Sequence, residues 1–159
     1  MTSVELLRQH LKIADIHVLR INSAIAKAGS FFPCDADDVS SLSEDAISSL
    51  DSLLARYAKL QDLLGSSIFP LVAHLSSGED LAGKTIIDVL NDLEKYHFIE
   101  TKTFWNEFRE ARNKVSHEYP DDPEATAKEL NICYEAAQKL LLFYAEFKES
   151  IEKRILLNI

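Results

Sequence analysis

The sequence predicts an all-α protein, folded as a single up-and-down bundle of four to five helices over residues 1–159. Long segments repeat apolar residues at helical spacing, and only four glycines and four prolines interrupt the 159 residues. No segment alternates apolar and polar residues between hairpin turns, as strands of a sheet do. This length can bury a continuous core without disulfides or a structural metal, so one domain is expected.

The first predicted helix covers about residues 4–28 and is ended by Gly29. Its apolar stripe consists of Leu7, Leu11, Ala14, Val18, Ile21 and Ile25. Residues 30–42 contain Pro33, three aspartates and several serines with little periodicity, which predicts a loop. Ser41 or Ser43 then caps the second helix.

The second predicted helix is long and is buried along one side, because its apolar residues keep one stripe. The stripe consists of Ile47, Leu50, Leu54, Tyr57, Leu60 and Leu64. Gly65 and Pro70 interrupt the pattern. Either the helix kinks there and continues through Leu75, or two helices meet, and the sequence alone does not choose.

Three further helices are predicted after residue 84. They cover about residues 85–96, residues 103–117, and a segment from the cap and proline at 122–123 to about residue 156. Pro120 ends the second of these by disfavouring helical geometry at the residue before it. The last helix has two apolar rows, and this surplus of apolar surface predicts a homodimer or another partner. The second row consists of Ile132, Ala136, Leu140, Phe143 and Phe147.

Composition restricts the classes of function. A net charge of −9 argues against broad, nonspecific polyanion binding. Residues 102–117 are an exception, with four Lys or Arg residues against two Glu. Residues 1–10 lack the apolar stretch of a signal peptide and no segment resembles a membrane span, so a cytoplasmic protein without membrane contact is expected. Cys34 and Cys133 are expected to be buried or idle thiols.

The strongest chemical signal is the run RNKVSHEYP at residues 112–120. The guanidinium fork of Arg112 suits phosphate oxygens, and His117 can transfer protons near neutral pH. In a regular helix these two side chains point about 140° apart, at about 100° per residue. They can converge only if the last turn distorts, or if a second copy of the motif faces the first. Asn113, four positions before the histidine, shares its face.

These residues carry a resemblance to a known family. An Arg at 112, a His at 117 and a Tyr at 119, at the end of a penultimate bundle helix, resemble the motif of the HEPN domain. With Asn113 after the Arg, the motif is similar to that of HepT-like toxins, which are encoded beside a minimal nucleotidyltransferase antitoxin. The resemblance covers about residues 80–150. The supporting segments are IDVLNDLEK at 87–95, FREARNK at 108–114 and HEYPDD at 117–122.

The resemblance implies metal-independent endoribonuclease activity in a homodimer cleft, with no cofactor. Arg112 and His117 would be catalytic, the Arg stabilising transition-state charge and the His activating the ribose 2′-OH. Asn113, Lys114 and Arg109 are the predicted substrate-positioning residues. The family also implies that a nucleotidyltransferase partner attaches AMP to Tyr119 and blocks the site. The alternative within the family is a noncatalytic companion subunit of a nucleotidyltransferase that binds nucleotide or substrate.

Two other interpretations compete with this one. In the first, Arg112 simply pairs with a carboxylate, His117 caps the helix end and Tyr119 packs under the loop. In the second, GEDLAGKT at residues 78–85 is a phosphate-binding P-loop, since it matches the pattern completely. A P-loop needs a preceding strand in a parallel sheet, and none is predicted, so this segment is expected to connect two helices with Thr85 as a cap.

Overall fold

The computed structural model describes residues 1–114 and 121–157, and these residues form helices and no strand. The predicted all-α bundle is confirmed. The helices in chain order are α1 (Ser3–Ala28), α2 (Ala36–Ser40), α3 (Glu44–Leu63), α4 (Phe69–Ser77), α5 (Ile86–Lys95), α6 (Phe104–Lys114) and α7 (Pro123–Ile151). A π-helical turn, Leu64–Ile68, joins α3 to α4, and a second one, Glu152–Leu156, extends α7.

Side-chain caps start the helices where the sequence places cap residues. Ser43, one of the two predicted caps, accepts a hydrogen bond from the Ala46 amide at 3.2 Å and starts α3. Thr85 and Asp88 cap each other's backbone amides at 3.2 and 3.0 Å and start α5. Each cap satisfies amides that the first helical turn leaves without partners. For this reason the predicted start of the third helix agrees closely with the structure.

The segment predicted as a loop, residues 30–42, contains the short helix α2, so that part of the prediction is wrong. Asp35 caps α2 and forms a reciprocal capping box with Asp38. The aspartates that indicated a turn are therefore acids of a first helical turn, where the helix dipole favours negative charge. The segment is tied to α7 because the Asn131 amide donates to the Cys34 carbonyl at 2.9 Å and accepts from its amide at 2.8 Å.

The interruption at Gly65 and Pro70 is a π-helical turn within a continuing helix. Gly65 is needed there for close packing, because a Cβ at this position would lie 2.9 Å from Cζ2 of Trp105. Pro70 comes two residues after the π-helical turn, so its missing amide donor falls where the regular α-helical hydrogen bonds are already interrupted. Of the two possibilities that the sequence left open, the structure shows continuation through the turn.

The core surrounds α7, which buries residues from both of its apolar rows. Leu140 and Phe147 of the second row are 0% and 2% exposed, and Phe143 packs in the same aromatic cluster. That cluster joins α4, α6 and α7 through Phe69, Trp105, Phe108, Phe143 and Phe147. Most of the second row is thus used within one copy of the chain, and it no longer argues for a homodimer.

Candidate functional site

The structure describes only the first part of the predicted motif. Arg112, Asn113 and Lys114 are in the last turn of α6 that the structure describes. His117 and Tyr119 lie outside the described residues. The distance from the guanidinium to the imidazole is therefore not part of the described geometry, and the predicted roles of His117 and Tyr119 stay predictions.

Arg112 lies in the wall of a groove of about 510 Å³ between α3, the first π-helical turn and α6, with the start of α5 at its edge. The α6 side of the groove is formed by Trp105, Arg109 and Arg112, which share one helix face because they are four and three positions apart. Asn113 adjoins them. The remaining lining residues are Gln61, Asp62, Gly65, Ser66 and Ile86. Two of the three predicted positioning residues, Arg109 and Asn113, thus share a surface with the predicted catalytic arginine.

Asp62 orients Arg112 in this wall. Its carboxylate accepts from Nε of Arg112 at 3.2 Å and from a terminal guanidinium nitrogen at 3.3 Å. The two side chains are 32% and 55% exposed, so the pair is accessible from the groove. A pair this exposed contributes about 0–1 kcal/mol to stability. The carboxylate partner expected by the purely structural interpretation is present, and it places the guanidinium at the groove surface.

Arg109 and Lys114 have different surroundings. Arg109 is exposed in the groove, one helical turn before Arg112, and forms no ion pair with the described residues. Lys114 does not line the groove. Its Nζ lies 3.4 Å from Oε1 of Glu129 on α7. Within the described residues the groove therefore has two arginines against the single carboxylate of Asp62.

The buried side of α6 holds this wall in place. The Tyr57 hydroxyl donates to the Phe108 carbonyl at 2.8 Å, and the Cys133 thiol donates to the Ala111 carbonyl at 3.6 Å. Burial raises the pKa of Tyr57 well above its usual range and raises the pKa of Cys133 to about 11. Both groups therefore stay protonated as donors near neutral pH. Cys34 and Cys133 are 7% and 2% exposed, which confirms the prediction of buried thiols.

Three groove residues on α3 and the π-helical turn were not predicted: Gln61, Asp62 and Ser66. Gln61 carries a usable signal, because it is four positions after Tyr57 and so is a polar residue on the apolar stripe. Asp62 carries no such signal in the sequence, since an acidic residue on the polar face of a helix is ordinary in an acidic chain. Ser66 carries none either, since its hydroxyl donates to the Asp62 carbonyl at 2.7 Å, a contact that serines form commonly in helices.

No protein-family model, curated protein or solved structure matches this chain. The resemblance to HEPN domains therefore depends on residues of the sequence itself: the Arg, Asn, His and Tyr of the motif and the segments around it. The groove is the structural context of the part of that motif that is described.

The P-loop pattern at residues 78–85 connects α4 to α5, as expected. The preceding segment is helical, and Gly78 ends it in a left-handed conformation with φ of 72°. Nζ of Lys84 lies 2.6 Å from Glu79 and 2.7 Å from Asp92. These hydrogen bonds raise the pKa of Lys84 above its usual range. The lysine that would bind phosphate in a P-loop is thus neutralised by two carboxylates.

Two other classes of site have no candidate in the described structure. Across residues 1–114 and 121–157, no three or more His, Cys, Asp or Glu side chains are grouped so that they could hold a metal ion. Within the same residues, no helix combines the length and apolar character needed to cross a membrane.

Proposed function

We propose that this protein is a metal-independent endoribonuclease of the HepT-like toxin type, with its site at the groove of Arg112. The observation that carries the proposal is the arrangement on α6. Arg109 and Arg112 face one groove, with Asn113 beside them, and His117 follows Arg112 by five residues in the sequence. Arginines are suited to RNA phosphates, because the guanidinium fork binds two phosphate oxygens at once.

The proposed reaction is a transesterification of the RNA backbone. His117 accepts the proton of the ribose 2′-OH, and the 2′ oxygen forms a bond to the adjacent phosphorus. The bond from phosphorus to the 5′ oxygen breaks, and that oxygen takes a proton from solvent. Arg112 stabilises the negative charge that develops on the non-bridging oxygens, while Asn113 and Arg109 position the substrate.

The proposed active form is a homodimer in which two copies of the motif meet. Support comes from helical geometry, which separates Arg112 and His117 by about 140° in one regular helix. The described residues also leave apolar side chains exposed on α1 and α7, with Ile16, Leu19 and Leu142 at 52%, 62% and 71%. Light scattering at micromolar concentration should give twice the chain mass of 17.9 kDa, and a monomer would contradict the dimer.

The direct test is RNA cleavage by the purified, unmodified protein in EDTA. We expect cleavage to survive EDTA, because a histidine and an arginine supply the chemistry, and to disappear in His117→Ala. His10→Ala is the matched control, since it removes an imidazole at the other end of the chain and should cleave normally. Absence of RNA cleavage by the folded wild-type dimer would contradict the proposed enzyme activity.

Regulation by a nucleotidyltransferase partner follows from the same proposal. Tyr119 is two residues after His117, so AMP groups on its hydroxyl would add bulk and negative charge beside the site. After coexpression with a cognate nucleotidyltransferase, we expect intact-mass spectrometry to show AMP adducts that Tyr119→Phe lacks. Adducts of equal number in Tyr119→Phe would assign the modification to another residue.

The second candidate is a noncatalytic companion subunit of a nucleotidyltransferase that binds nucleotide or substrate. One observation favours it. Two donors of Arg112 already bind the Asp62 carboxylate, so the guanidinium is better placed to bind a nucleotide than to stabilise charge on a reacting phosphate. This candidate predicts saturable nucleotide binding without RNA cleavage. The EDTA experiment, combined with a nucleotide titration, separates the two.

A further inference from the structure

Gln61 is a buried polar side chain at the bottom of the Arg112 groove. The residue is 5% exposed, yet it is among those that line the groove. Within residues 1–114 and 121–157 no described hydrogen bond involves the Gln61 side-chain amide, and its atoms are not among the buried polar atoms that lack a partner, so solvent in the groove reaches them. An amide reached by solvent can exchange its water for a ligand group that forms the same hydrogen bonds. Gln61 therefore presents to the groove an amide that no protein group among the described residues occupies.

The surroundings of Gln61 restrict the chemistry of that partner. Trp105 and Ile86 supply the apolar wall, and Gly65 lets Trp105 pack closely against the π-helical turn. Arg109 and Arg112 lie along the α6 side of the same groove. The groove thus combines apolar walls, one amide with a donor and an acceptor, and cationic groups. A nucleotide has the complementary parts, since a base has apolar faces and a hydrogen-bonding edge and its phosphate is anionic.

We propose that this groove is a base-binding subsite for single-stranded RNA, in which Gln61 reads the hydrogen-bonding edge of one nucleobase. Nε2 of Gln61 donates to a base acceptor and Oε1 accepts from a base donor, while Arg109 and Arg112 bind the adjoining phosphate. The volume of about 510 Å³ is within the range of small-molecule sites. This inference rests on the proposed role of the Arg112 groove in RNA binding, and it adds a specificity-determining residue to it.

The structure supplies its own probe for the test. Trp105 is the single tryptophan of the chain and lies in the groove wall, so its fluorescence should report occupancy. Wild-type protein in EDTA is titrated separately with AMP, GMP, CMP and UMP. We expect saturable fluorescence changes with unequal affinities for the four nucleotides, because one amide cannot match every base edge equally.

Gln61→Leu replaces the amide with an apolar side chain of similar size. We expect it to bind the preferred nucleotide about tenfold less tightly or worse, and to level the affinities for the four nucleotides. Arg109→Ala should weaken all four alike, since it removes a phosphate contact. Gln9→Leu is the matched control, because Gln9 is exposed on α1 and should leave binding unchanged.

A second measurement keeps the inference testable if Gln61→Leu fails to fold. The side-chain amide signals of Gln61 in wild-type protein should shift in ¹⁵N–¹H NMR spectra when the preferred nucleotide is added. The subsite is overturned by an absence of saturable binding, by Gln61→Leu affinities equal to wild type, or by amide signals that do not move. Base-dependent binding through Gln61 without RNA cleavage would instead keep the subsite and refute the proposed enzyme.

Discussion

Arg112→Ala should reduce the rate of RNA cleavage by about 10²–10³-fold while leaving the fold intact. An interaction that stabilises transition-state charge typically contributes this much to kcat. Loss of the exposed ion pair with Asp62 should lower the free energy of unfolding by no more than about 1 kcal/mol. Single-turnover cleavage assays and urea denaturation measure the two effects independently.

Two further variants separate the guanidinium from its ion pair. Asp62→Ala breaks the same pair but keeps the guanidinium, so we expect it to retain most of the activity. Arg112→Lys keeps the charge without the planar fork, and it should recover only a small part of the lost rate. Wild-type activity in Arg112→Ala would exclude Arg112 from the reaction, whereas equal losses in Arg112→Ala and Asp62→Ala would assign the effect to the ion pair.

Phe69→Ala should lower the free energy of unfolding by about 3–5 kcal/mol, the largest effect on stability that we expect. Phe69 is 0% exposed, and its ring packs 4.8 Å from Trp105 and 5.2 Å from Phe147, measured between ring centroids. Truncation leaves a cavity that these rigid rings cannot fill. Urea denaturation, followed by circular dichroism, measures the loss.

Leu142→Ala on α7 is the control for that measurement. Leu142 is 71% exposed, so its truncation should change the free energy of unfolding by less than about 0.5 kcal/mol. Similar losses for the two variants would contradict the described core. Because Phe69 packs against Trp105, we also expect its truncation to shift the tryptophan emission, which Leu142→Ala should not do.

The helices that sequence reasoning placed well are those with local start and stop signals. Thr85, Ser43 and Asp122 cap helices through hydrogen bonds within their own turn, so a short-range pattern is enough to predict them. Helix α2 was missed because its aspartates serve equally in turns and in first helical turns. The sequence could not choose the π-helical turn over a break, because the close packing of Trp105 on Gly65 joins residues forty positions apart.

The candidate site likewise contains residues that one segment predicts and residues that only the fold brings together. Arg112, Asn113 and Arg109 were found because motif spacing and one helix face are properties of a single segment. Asp62 and Gln61 lie about fifty residues earlier, and only the packing of α3 on α6 brings them to the same groove. Lys114 was grouped with the arginines by its proximity in sequence, yet the turn of the helix directs it to Glu129.

The π-helical turn at Leu64–Ile68 changes the direction in which the side chains of α3 point relative to those of α4. It adds one residue to a helical turn, and one residue corresponds to about 100° of rotation. Deleting Ser67 would restore an ordinary α-helix and rotate Gln61 and Asp62 by about that angle relative to α4. The core contacts of Phe69 and the groove residues would then no longer face their partners together. The inserted residue thus lets one continuous helix direct Phe69 into the hydrophobic core and Gln61 and Asp62 into the polar groove.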